Sequence, residues 1–148
     1  MPLADCLNDK EMDTPGSATQ AGIAYFVLRP HISSGSVSAT VLQPGYLGIA
    51  NNNLSYPAVG VTASGRGVIA FSVMGPDYYP SAGYASLDAS VGAGEIHIVA
   101  EGLGPEDGFT GYAAFNAAGG GFARWGDYGA AAVDGNARGV ALFAASAV

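Results

Sequence analysis

Residues 56–72, YPAVGVTASGRGVIAFS, return 72 positions later as residues 128–144, YGAAAVDGNARGVALFA, with no gap and seven identities. The identical pairs are Tyr56/Tyr128, Ala58/Ala130, Val61/Val133, Arg66/Arg138, Gly67/Gly139, Val68/Val140 and Phe71/Phe143. A unit that recurs at a fixed period cannot bury its apolar face alone, and stacked copies cover one another. Successive copies of one supersecondary unit are therefore expected.

Each copy reads as two β-prone runs around a short link. In the first, strands at 56–62 and 67–73 flank Ala63-Ser64-Gly65-Arg66; in the second, 128–133 and 140–145 flank Asp134-Gly135-Asn136. Further strands are expected at 23–28 and 37–42, separated by a turn-like segment at 30–35 and closed by Asn51-Asn52-Asn53, and at 82–87 and 95–101. In order, these make the last two strands of one unit, a whole four-stranded unit over about 56–101, and the first two strands of a third. Four antiparallel strands per repeat is the arithmetic of a β-propeller blade. The expected fold is thus all-β, with β-propeller-like antiparallel sheets of about two blades, as a partial propeller or one completed by oligomerisation. A period of 72 exceeds the ~40–50 residues of compact blades, and the excess falls in the Gly-rich stretch 102–124, expected as a long inter-blade loop.

Composition agrees with short strands and frequent turns. The chain of 148 residues carries 23 Gly and eight Pro, and it is 49% hydrophobic but only 11% charged. That is too apolar for disorder and too rich in breakers for long helices. Residues 1–20 have neither a period-2 nor a helical pattern and are expected to form a poorly ordered tail, with residues 21–148 as the β domain. Cys6 is the one cysteine, so no intrachain disulfide forms, and its neighbours Asp5 and Asp9 disfavour a reactive thiolate.

Charge removes one class of partner. Twelve acids against five scattered bases give a net charge of −7, whereas nucleic-acid binding needs clustered Lys and Arg. No apolar run approaches the ~18 residues of a membrane span. The opening MPLADCLNDKEMD lacks the basic segment and apolar core of a secretory signal.

The stretch NNNLSYPAVGVTASGRGVIAFSVMGPDYYPSAGYASLD, the EDGFTGY segment and RWGDYGAAAVDG resemble the C-terminal region of large, mostly uncharacterised bacterial exported proteins described as sialidase-like β-propellers. The resemblance covers roughly residues 50–136, and RWGDY ahead of an AxxVDG strand is its most specific element. It implies a propeller, export to the periplasm or cell exterior, and a chain that is the tail of a longer parent. In that family the last repeat continues into an aromatic-bearing strand of the type IWLASEY, where this chain reads VALFAASAV.

Candidate site residues cluster in three places. In RWGDY, Arg124 and Asp127 are suited to pairing, and Trp125 and Tyr128 to stacking against a sugar or aromatic ligand. The structural alternative bonds Arg124 and Asp127 to backbone at the start of a strand and packs Trp125 between blades. In GPDYYPSAGY, Tyr78, Tyr79 and Tyr84 offer rings with polar tips for carbohydrate or peptide, or a loop that covers a blade edge. In GEIHIVAEG, Glu95 and His97 share a strand face about 7 Å apart. Two side chains fall short of the three or four ligands of a metal centre, so no metal site is expected. Glu106 and Asp107 lie in a Gly-rich loop without the spacing of a calcium loop.

GxSxG, HExxH and CxxC are all absent, and no cofactor motif is present. The leading expectation is a non-catalytic propeller segment that binds a carbohydrate or cell-surface ligand through Tyr78, Tyr79, Tyr84, Trp125 and Tyr128, with homo-oligomerisation as a route to closure. The rival is a glycoside or ester hydrolase on an assembled face. It would use Asp127 or Asp77 as acid, Arg124 as anion clamp and a tyrosine as nucleophile. Arg66 and Arg138 occupy equivalent turn positions in the two copies, which assigns them to the scaffold. The SxDxGxxW box common in sialidase propellers is missing.

Overall fold

The computed structural model describes residues 20–105, 126, 129–134 and 140–141. All named elements are strands: β1 (Ile23–Ser33), β2 (Ser36–Leu47), β3 (Asn53–Val61), β4 (Arg66–Met74), β5 (Ser81–Asp88), β6 (Gly92–Ala100), β7 (Ala132–Val133) and β8 (Val140–Ala141). They pair antiparallel into a β1–β2 hairpin, a four-stranded meander β3-β4-β5-β6 and a β7–β8 hairpin. The fold is therefore all-β, and among the described residues none of the three sheets closes on itself or shares a strand ladder with another.

The meander coincides with the expected complete unit. Strand β4, RGVIAFSVM, lies inside it and is buried along most of its length. Ile69, Phe71 and Val73 point to one face and join Leu54, Ala85 and Leu87 in the core. Phe71 lies over Gly83 of β5, where an added Cβ would stand 2.9 Å from the ring and 3.2 Å from Val73. Gly83 thus leaves the room that the aromatic ring fills.

The repeat reappears as two antiparallel hairpins with a difference. The first pairs Val61 with Gly67, whereas the second pairs Val133 with Val140, one residue out of step with its counterpart. Of the repeated Arg66-Gly67 pair, it is the glycine that the geometry demands. A Cβ at Gly67 would collide with the Gly60 carbonyl across the ladder.

The β1–β2 hairpin corrects one expectation. Residues 30–35 are not a turn: the ladder runs through Pro30 and His31 to Ser33, and only Ser34 and Gly35 form the bend, with Gly35 at φ 83°. Proline is tolerated because a two-stranded ribbon has only edge strands. Pro44 and Gly45 likewise lie within β2 rather than beyond it. A bulge falls between Val27 and Leu28, which pair with Gln43 and Val41 and leave Leu42 without a partner.

The base of this hairpin completes the core. Ile23 pairs with Leu47, and both are buried against the inner face of the meander. Tyr25 accepts the Ala93 N–H through its hydroxyl at 2.8 Å, and Gln43 donates to the Val91 carbonyl at 3.1 Å. The hairpin is thereby fastened across the β5–β6 turn. Asn51–Asn53 do not close this hairpin but carry the chain from β2 into β3, with Ile49 and Asn52 forming an isolated bridge. The expected tail, Cys6, the 106–124 part of the long connection and the closing segment 142–148 lie outside the described residues.

Candidate functional site

The β4–β5 loop, residues 75–80, carries the first tyrosines, and its shape is set by Asn52. This asparagine is 1% exposed. Its amide donates to the Ala50 carbonyl at 2.7 Å and to the Asp77 carboxylate at 2.9 Å, and its own carbonyl oxygen accepts the Asp77 N–H at 3.2 Å. Gln20, with its amide oxygen turned to the bend, accepts from the backbone N–H groups of Asn51 and Asn52. A carboxylate held at both its side chain and its backbone is a clamp on loop shape. Asp77, a candidate acid in the sequence, holds that place.

The three tyrosines separate. Tyr78 packs against the inner core cluster, whereas Tyr79 is exposed. Tyr84 alternates along β5 with the buried Gly83 and Ala85, so it stands on the outer face. There it is opposite His97 of β6, and the two rings stack with centroids 5.1 Å apart and planes 26° from parallel. Glu95 shares that face of β6, two residues before His97, and is exposed. The outer face thus holds an aromatic pair with a carboxylate on the neighbouring step of the strand.

The loop is tied back on its far side. Ser81 donates to the Tyr79 carbonyl at 2.6 Å and accepts the Gly102 N–H at 3.0 Å. These bonds bring the end of β6 beside Tyr79. At the opposite end of the sheet, Arg66 lies 3.8 Å from Asp88 with most of its side chain in water, a pair of little energetic weight. The Asp88 carboxyl is held below its ordinary range chiefly by the Ser90 hydroxyl, then by the Ser90 N–H.

Other sequence candidates fall elsewhere. His31 bonds Thr40 on the β1–β2 hairpin at 2.9 Å, far along the chain from Glu95 and His97. Among the described residues no three His, Cys, Asp or Glu side chains come together as a metal site. Among the same residues no helix is long and apolar enough to cross a membrane. Arg124, Trp125, Asp127, Tyr128, Glu106, Asp107 and Arg138 lie outside the described residues. Gly126, within RWGDY, accepts a hydrogen bond from the Tyr56 hydroxyl at 3.1 Å, which links that segment to β3. Tyr56 sits in the bulge of β3 at φ 53°.

Sequence reasoning passed over Asn52 as one of three turn residues, and it did not pair Tyr84 with His97. An asparagine run beside an apolar strand offered a weak signal for the first. Comparison of the chain with protein-family models, with curated protein sequences and with solved structures gives no match in any of the three. What the fold defines is an all-β protein of antiparallel sheets around one four-stranded meander. Its most distinctive surface chemistry among the described residues is the outward Tyr84–His97 stack.

Proposed function

We propose that this chain is a non-catalytic β-propeller segment that binds glycans on a cell surface or secreted partner through the outer face of β5 and β6. The observation that carries the reading is the stacked Tyr84–His97 pair with Glu95 on the same face. Flat rings pack against the C–H face of a sugar, and a carboxylate or imidazole at the margin accepts hydrogen bonds from its hydroxyls. Exposed Tyr79, on the loop leading into β5, adds a second ring with a polar tip. The four-stranded meander and the resemblance to tails of exported sialidase-like propellers support the propeller and the exported setting.

Glycan-array binding by the whole chain tests the site. Wild-type signal that disappears in a Tyr84→Ala, His97→Ala double variant with unchanged circular dichroism is the expected result. Signal that persists would refute this location. Turnover of chromogenic glycosides or esters, abolished by Asp127→Asn with folding intact, would replace the binding reading with the hydrolase.

A further inference from the structure

We propose that the β1–β2 hairpin is a self-association surface, on which a second copy of this chain packs face to face as a two-fold dimer. The hairpin has one apolar face along its whole length. The pairs Ala24–Tyr46, Phe26–Pro44, Leu28–Val41, Pro30–Ala39 and Ile32–Val37 all fall on that face, and all ten residues are exposed. The opposite face differs by position. Near the base Ile23, Tyr25 and Leu47 pack on the meander, and toward the tip Arg29, His31, Ser33, Ser36, Ser38 and Thr40 are polar.

An isolated two-stranded ribbon is marginally stable in water at best and needs its apolar face covered. Here the tip is the most exposed part, with Ile32 at 82% and Val37 at 78%. Taking about 170 Å² for a large apolar residue, the exposed fractions of Phe26, Leu28, Ile32, Val37, Val41 and Tyr46 amount to about 550 Å² in each copy. Two such faces, with their alanines and prolines, reach the ~1,200 Å² at which specific interfaces begin.

Charge selects the occupant. All twelve acids of the chain lie at positions 5–13 or 77–134, so residues 14–76 contain none, and the hairpin's one formal charge, Arg29, is on the polar face. Two molecules of net charge −7 can therefore meet here without opposing carboxylates. Pro30 and Pro44 each remove an N–H from the ribbon, which blunts edge-to-edge strand addition and leaves the face as the route of contact. An isologous pairing, with the same patch on both copies, closes on itself.

Light scattering and sedimentation velocity of the full chain over a micromolar concentration series test the proposal. A dimer mass is expected. Ile32→Ser with Val37→Ser should weaken dimerisation by at least ~100-fold, because four exposed apolar side chains leave the interface. Circular dichroism of this variant should match wild type, since both side chains are already in water within one copy, and its melting should lose the dependence on protein concentration that the dimer confers. Leu103→Ser, at a fully exposed loop position, should leave the dimer unchanged. A monomer throughout, a species larger than a dimer, or a dimer indifferent to the tip variant would each overturn the proposal. A monomer that floats with neutral phosphatidylcholine vesicles, and loses them in the tip variant, would assign the face to lipid instead.

Discussion

Replacing Asn52 by alanine should destabilise the protein far more than a substitution at an ordinary turn residue. The side chain is buried and makes three hydrogen bonds, one of them to a carboxylate. Neutral bonds are worth roughly 1 kcal/mol each and a charged one about 1.5–3. Water recovers part of that, because Asp77 is exposed once released. The net loss is expected at about 2–4 kcal/mol. For a chain of this length that corresponds to a fall in melting temperature of about 6–12 °C. Thermal unfolding by circular dichroism reads it directly. A double-mutant cycle with Asp77→Ala should return a coupling of about 1–2 kcal/mol. A melting shift below about 2 °C, or additive single variants, would refute the clamp between the 49–53 bend and the β4–β5 loop.

Gly83→Ala should cost about 1–3 kcal/mol by overpacking, because the new methyl would stand 2.9 Å from Phe71, and urea denaturation with Phe71→Leu added should recover part of it. Tyr25→Phe removes the acceptor of the Ala93 N–H; stability should fall by about 1 kcal/mol, and hydrogen exchange at Ala93 should accelerate. Ser90→Ala should raise the Asp88 carboxyl toward its ordinary value, as read by an NMR titration of that carboxyl. Its folded-state value is lowered, so the Asp88–Ser90 bonds stabilise above the unfolded carboxyl range near 3.9 and lose that effect as pH falls through the folded value. The variant should therefore show a flatter acid limb.

Much of the fold was legible because alternation and turn residues are local. The hairpins at 56–73 and 82–101 needed only apolar runs and glycine links, and the repeat announced that the first would return. The β1–β2 ladder was underestimated because the segment from Pro30 read as a turn and the second strand was ended at Leu42, while a ribbon with open edges accommodates both Pro30 and Pro44. The Tyr84–His97 stack was not legible, since bulges between Ala82 and Gly83 and between Ala85 and Leu87 shift the register that sets which side chains meet. Asn52 was missed for a different reason. Its importance comes from burial and from a partner 25 residues away, neither of which a turn-like triplet reveals.

The unpaired Leu42 of the β1–β2 hairpin works like a frame marker for sidedness. Were Leu42 paired in the ladder, Leu28, Pro30 and Ile32 would lie opposite Leu42, Thr40 and Ser38, and the valines and alanine of β2 would join the arginine and histidine of β1. Loss of the bulge with Leu42 retained in the ladder would act on the ribbon as a frameshift acts on a message. Every side chain beyond it would keep its identity and change its side, and sorted apolar and polar faces would become mixed. Deleting Leu42 should therefore be tolerated, because Val41 still meets Leu28 and both faces stay sorted, whereas a length change in the Ser34-Gly35 bend would reset the register.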